Sequence, residues 1–241
     1  MKKRIMVLPH EHGGWAMVSV PFFVGMSAGG LSWIHIPLFL AWLLFYLASY
    51  PLLQSIKKRS NRAHLIRWGT GYGILGLACA AFPLVQKPEL FYFAPVMFIL
   101  LSVNMWHVKH RKEREIINDL CAILLFSVGA AAAYLAGSGQ WDYTLVAVTG
   151  FSFLQFAGSA FFVKTIFRER GSVRWSVIAR LYHAVLLFIP WLTGYPWMIF
   201  AYLYSSTRAI LLAGKSMRAW KAGIIEIIGS ILFLIVSVII L

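Results

Sequence analysis

Long apolar runs separated by short charged or glycine- and proline-containing breaks dominate the chain. Apolar segments recur at about 14–31, 36–56, 68–86, 90–107, 118–136, 143–163, 177–193, 196–213 and 223–241. A helix needs roughly 20 apolar residues to cross the hydrocarbon of a bilayer. The pattern therefore predicts an all-α, polytopic transmembrane bundle of about nine spans, read as a single integral membrane domain over 1–241.

The polar breaks alternate in charge. One set holds Lys2, Lys3 and Arg4, then Lys57 to Arg67, Lys109 to Arg114, Lys164 to Arg180, and Arg208 to Lys221. Of 22 Lys and Arg residues, Lys87 alone falls in the other set. Basic loops stay on the cytoplasmic side. The expected protein is thus a multi-pass protein of the cytoplasmic membrane, with its N-terminus inside and its C-terminus outside. A miscounted span would move every later loop across and destroy this asymmetry. The opposite connections, such as Ser32–His35 and Gly137–Asp142, are very short. Chemistry is therefore expected within the bundle or at its cytoplasmic face.

Composition agrees. Hydrophobic residues make up 60% and charged residues 12%, where a soluble domain carries about a quarter charged. The net charge of +14 is explained by orientation, and nucleic acid is not expected as a partner. The bilayer and anionic lipid headgroups at the cytoplasmic face are. Cys79 and Cys121 sit in apolar runs without a CxxC spacing and read as small hydrophobes. The basic start lacks an uninterrupted apolar centre, so no cleaved signal is expected.

Several stretches could carry chemistry. Pro9-His10-Glu11-His12-Gly13-Gly14-Trp15 could ligate a metal, serve as an interfacial anchor, or fold under the bundle and lend Glu11 and His12 to a cytoplasmic cavity as a base. On one helix, His10 and His12 would point about 200° apart, so convergence needs a turn. In 109–123, Glu115 and Asp119 are four apart beside Asn118. They could hold Mg²⁺ with substrate phosphate oxygens, or simply pair with Arg111, Lys112 and Arg114. Lys164, Arg168 and Arg170 could clamp an anionic head or act as a positive-inside loop. Asn104, His107, Gln155, Tyr182, His183, Arg208 and Glu226 are polar positions within apolar spans, where polar groups are costly. Arg208 and Glu226 are expected to pair. Gly71-Tyr72-Gly73-Ile74-Leu75-Gly76 matches GxGxxG, but no strand precedes it, so helix packing is expected, as for Gly25 with Gly29. A weak helix–basic turn–helix repeat recurs at 46–76, 160–190 and 205–235.

PHEHGGWAM, EREIINDLCAI, VKTIFRERG and the basic turn before the last helix together resemble the bacterial YwiC-like family across essentially the whole chain. The resemblance implies a polytopic membrane protein and supplies no substrate. It singles out Glu11, His12, Gly13, Trp15, Asn118, Asp119, Lys164, Arg168, Arg170, His183 and Glu226. More distantly, the architecture looks like that of UbiA-type prenyltransferases, which hold an isoprenyl diphosphate with magnesium and two Asp-rich motifs. Here the second-to-third loop has no acid, the sixth-to-seventh has only Glu169, and Asn118-Asp119 lies in the fourth-to-fifth. Three functions stay open. One is a UbiA-like membrane enzyme acting on an isoprenoid or other anionic amphipath. In it, Lys164, Arg168, Arg170 and His183 would hold the head, Glu115 and Asp119 a metal, and Glu11 or His12 would be the base. The second is a small-solute transporter. The third is a non-catalytic protein that binds a respiratory or lipid partner.

Overall fold

The computed structural model describes residues 6–9, 12–57 and 61–241. Among these residues the protein is all helical. The helices are α1 His12–Gly29, α2 His35–Lys57, α3 Arg62–Gln86, α4 Ala94–Lys109, α5 Ile116–Ser138 and α6 Tyr143–Phe167. They continue as α7 Val173–Leu186, α8 Ile189–Leu192, α9 Ile199–Leu212 and α10 Ala219–Ile240. A 3₁₀ turn, Pro88–Phe93, leads into α4, and Pro196–Met198 leads into α9. These pieces join into nine rods that follow the nine apolar segments of the sequence. Seven rods are long and apolar enough to cross a membrane. The remaining two are α1 and α9.

α1 is largely covered by other helices, whereas α9 buries its polar face and leaves Phe200, Leu203, Ile210 and Leu211 exposed. α1 carries four glycines and a proline, and it packs against α5, α6 and α10. Val18, Phe22 and Val24 are fully or almost fully buried. The contact with α5 is backbone to backbone. A Cβ on Gly25 would strike the Ala130 carbonyl, one on Gly29 the Tyr134 backbone, and one on Gly137 the carbonyls of Gly29 and Gly30. Small residues allow this approach where lipid supplies no hydrophobic drive between helices. The α5 run Gly129-Ala130-Ala131-Ala132-Ala133 presents a smooth face, and the Trp42 indole of α2 lies against Gly129. The Trp42 indole N–H donates to Val18 O at 3.1 Å, and the His35 ring bonds Ala133 O at 2.8 Å. Thus α1, α2 and α5 share one locked centre.

α2 and α3 form a peripheral hairpin. Within the GxGxxG stretch, Gly76 meets Phe45 and Leu44, whereas Gly71 and Gly73 face open space. Gly69, outside the motif, packs on Leu52. The packing role therefore falls to Gly69 and Gly76. The rest of the motif lies on the outer face beside exposed Ile74, Leu75 and Leu77.

Several boundaries differ from the apolar pattern, three of them with a clear local cause. α6 runs to Phe167 because no breaker precedes Gly171, so Lys164 belongs to a helix and its stem lies along apolar surface. α5 starts at Ile116, since Glu115 is extended (φ −69°, ψ 140°) and residue Arg111 turns the chain at φ 58°. The seventh rod breaks before Pro190, which has no N–H to continue the ladder.

The facing ends of α5 and α6 are both capped, one by backbone geometry and one by a side chain. Gly139 ends α5 at φ 67°, and Asp142 caps α6 by accepting from Leu145 N at 3.1 Å. The Tyr134 hydroxyl donates to the same carboxylate at 2.7 Å and holds it below the usual carboxylate range.

Two outcomes follow for stability, read as thermal melts in mild detergent. Gly25→Leu forces α1 off α5 and costs about 3 kcal/mol, the upper part of the overpacking range, whereas Gly71→Leu leaves the melt unchanged. Asp142→Ala costs about 1 kcal/mol, as for loss of a helix cap.

Candidate functional site

The C-terminal ends of α2, α4, α6 and α9 meet at one end of the bundle, which collects basic residues such as Lys57, Arg114 and Arg168. Lys57 at the end of α2 forms an ion pair with Glu113. Burial pushes the Glu113 carboxyl up, but the hydrogen bond and charge of Lys57 outweigh it, and its pKa lies below the usual value. Arg168, just past α6, reaches back to the Asp119 carboxylate at 2.5 Å and to Arg114 O at 3.3 Å. Asn118 Nδ2 donates to Glu113 O at 3.0 Å, and Asn104 Nδ2 donates to Asn118 O at 3.3 Å. The 109–119 segment therefore clasps α2, α4 and the end of α6 together.

Glu115 and Asp119 share the start of α5 but turn to different partners. Glu115 faces His107 at 3.6 Å and Lys112 at 3.4 Å, while Asp119 faces Arg168. Among the described residues no group of three His, Cys, Asp or Glu side chains is close enough to hold a metal ion. A divalent ion at Glu115 and Asp119 would have to draw its further ligands from the ligand itself or from solvent.

Lys164 lies in the last turn of α6, and Arg168 follows four residues on as its C-cap. Lys164 is only 7% exposed, with its ammonium 4.2 Å from the Trp175 ring centre. No carboxylate among the described residues pairs with it. Arg168 and Arg170 are exposed at the end of the helix. Nearby, Arg180 Nη2 donates to Ala213 O at 3.1 Å, and Gly214 N donates to Thr165 Oγ1 at 3.1 Å. These bonds bring the α9–α10 loop to the same end.

Deeper in the bundle a polar seam runs between α6 and α9. Tyr202 donates to Phe151 O at 2.9 Å, and Gln155 and Ser205 exchange bonds of 2.8 and 3.1 Å. Arg208 Nη2 donates to Ser159 Oγ at 3.2 Å, and the guanidinium lies over Phe162 and pairs with Glu226 of α10. His183 of α7 is fully buried. Its Nδ1 bonds Ala179 O at 2.7 Å, which leaves Nε2 as the bare acceptor.

Of the residues singled out in sequence, Glu11 lies outside the described residues, as does the side chain of His12, whose backbone opens α1. Lys164, Arg168, Arg170, Glu115 and Asp119 all lie at the basic end. His183 belongs to the seam. The expected pairing of Arg208 with Glu226 is present. Ser159, Ser205, Ser206 and Trp175 carry seam or rim contacts that sequence reasoning passed over. Their signal was available as polar residues three and four apart on α6 (Ser152, Gln155, Ser159) and on α9 (Tyr202, Ser205, Arg208). The Lys57–Glu113 link had no local signal. Gln155→Leu strands the Ser205 hydroxyl and costs about 1–3 kcal/mol, whereas adding Ser205→Ala recovers most of that loss, since paired apolar replacement can be near neutral; a double-mutant cycle of melts checks it.

Comparisons with known proteins fit this picture. The family described as YwiC-like protein matches residues 8–134. The uncharacterized protein YwiC of Bacillus subtilis is 34% identical over 230 residues, covering 95% of this chain and 96% of its own. A Haemophilus influenzae protein is 26% identical over 230 residues, with the same coverage of 95% and 96%. No solved structure matches the chain. With a conserved-length relative across nearly every helix and the family match spanning α1 to α5, the chain belongs to the YwiC-like family.

Proposed function

We propose that the protein is one integral domain of the cytoplasmic membrane, N-terminus inside and C-terminus outside, that binds the anionic head of an amphipathic substrate at its basic, cytoplasmic end. Lys164 carries this reading. A buried ammonium with no carboxylate partner among the described residues is costly, and an anion from outside relieves it. The Trp175 ring gives partial compensation. Arg168 and Arg170 sit at the mouth of the same helix and would draw the head in, with anionic lipid headgroups as competitors. An isoprenyl phosphate or diphosphate has the matching chemistry, with its chain left in the lipid.

The reading extends to a UbiA-like membrane enzyme that lacks the usual Asp-rich pair. In it Glu115 and Asp119 would hold Mg²⁺, Glu11 or His12 would act as the base, and His183 would line the deeper wall. A small-solute transporter is the second reading, and the buried Arg208–Glu226 pair favours it, because ionisable groups within spans mark solute and ion paths.

Native mass spectra of the purified protein with farnesyl diphosphate, with and without magnesium, test the first reading. Binding is expected, and Lys164→Gln weakens it about tenfold, or about 1.4 kcal/mol. Binding indifferent to Lys164→Gln overturns the reading. If a metal takes part, the Glu115→Ala, Asp119→Ala double variant loses the magnesium dependence. Orientation is read separately. With Cys79 and Cys121 replaced by serine, an impermeant maleimide labels a cysteine at Gln140 in intact cells and one at Lys215 only after lysis.

A further inference from the structure

Arg208 is held more tightly than the carboxylate that neutralises it. Its side chain is 3% exposed, against 16% for Glu226. It sits between α6 and α9, bonded to Ser159 and flat over Phe162. A guanidinium carries five N–H donors, and Arg208 Nε has no acceptor among the described residues. Within apolar surroundings an unfilled donor is expensive. Glu226 comes from α10, whose Ile224, Ile227, Ile228 and Ile231 are exposed on the outer face.

The surroundings of Arg208 suit an anion. Ser159 is a neutral hydroxyl, and the Gln155–Ser205 pair lies one turn deeper. His183 Nε2 is a buried acceptor without a partner among the described residues, able to take a proton-bearing oxygen. It has room because residue 158 is glycine: a Cβ there would come within 2.9 Å of Nε2. Among the described residues the seam thus contains one fixed cation, neutral hydrogen-bonding groups and the bare His183 acceptor, and the carboxylate it engages comes from α10.

We propose that Arg208 is an intramembrane anion site in which Glu226 is a replaceable counter-ion, and that its ligand is the charged head of a single-chain amphipath arriving beside α10. Exchanging one anion for another at Arg208 avoids exposing a naked guanidinium, the costly step in breaking a buried pair. The released carboxylate turns toward the start of α10 and the loop before it, where Lys215, Arg218 and Lys221 offer positive charge. The site uses none of the rim residues and goes beyond the reading built on Lys164.

The test uses the full chain in mild detergent, titrated with decanesulfonate, an anion of fixed charge, and with decanol as the neutral control. Calorimetry is the readout. Glu226→Gln removes the resident anion and tightens sulfonate binding about tenfold, while the Glu226→Gln, Arg208→Gln double variant shows no saturable binding. Decanol binds neither. Should Glu226→Gln lose its native melt, Glu226→Asp, whose shorter arm pairs less well, is scored instead and must bind more tightly than the native protein. Binding no tighter in the scored variant overturns the proposal, as does binding retained after Arg208 is removed. Lys164→Gln separates the two sites. If it abolishes sulfonate binding in the Glu226→Gln background, the ligand sits at the rim and Arg208 is not its site. If binding persists, the Arg208 site stands irrespective of the farnesyl diphosphate result.

Discussion

The backbone contact of α1 with α5 sets the arrangement of the bundle. Gly25, Gly29 and Gly137 leave no room for a Cβ between the two helices. Their closeness puts α1, which is among the helices least suited to lipid, behind α5, α6 and α10. It also fixes which faces of α5 and α6 remain for α2, α4, α7 and α9. Hydrogen bonds from Trp42 and His35 to backbone carbonyls add directional constraints to a contact made mostly by shape. A larger residue at Gly25 would therefore disturb more than one helix pair.

The same principle of coverage accounts for α9. Its sequence, IFAYLYSSTRAILL, mixes tyrosines, serines and an arginine into 14 residues, a composition ill suited to lipid. α6 satisfies Tyr202, Ser205 and Arg208, α7 accepts from Ser206 and α10 from Tyr204, and Phe162 and Glu226 cover the guanidinium. Polar groups within a span are held by neighbours or made functional by their absence. Here most are held. Among the described residues Arg208 Nε and His183 Nε2 are left over, as are the Ser152 and Ser237 hydroxyls.

At the basic end, charge does two jobs. Lys57–Glu113 and Arg168–Asp119 tie separate loops to the 109–119 segment. Such half-exposed pairs add little stability each, but they set loop positions. Lys164 differs: it is buried, rests on Trp175 and has no carboxylate partner among the described residues. The acidic residues of the segment are thus largely engaged with cations, while the cationic character of α6 persists toward its end. That asymmetry suits an anionic ligand better than a metal held by protein carboxylates alone.

The sequence by itself determined the class, the nine helical segments and the sorting of basic residues to alternate loops. Each depends on hydrophobicity and charge read over a local window. It also marked Arg208 and Glu226 as partners, because opposite charges on adjacent helices with a short connection have few alternatives. Only the tertiary structure decided that α1 is central, since Gly25 looks like Gly71 in sequence and differs only in what lies opposite. Only the fold could separate Glu115 from Asp119, whose equal spacing hid partners on α4 and α6. And the seam between Gln155 and Ser205 joins residues 50 apart, a distance at which no periodic pattern specifies which faces will meet.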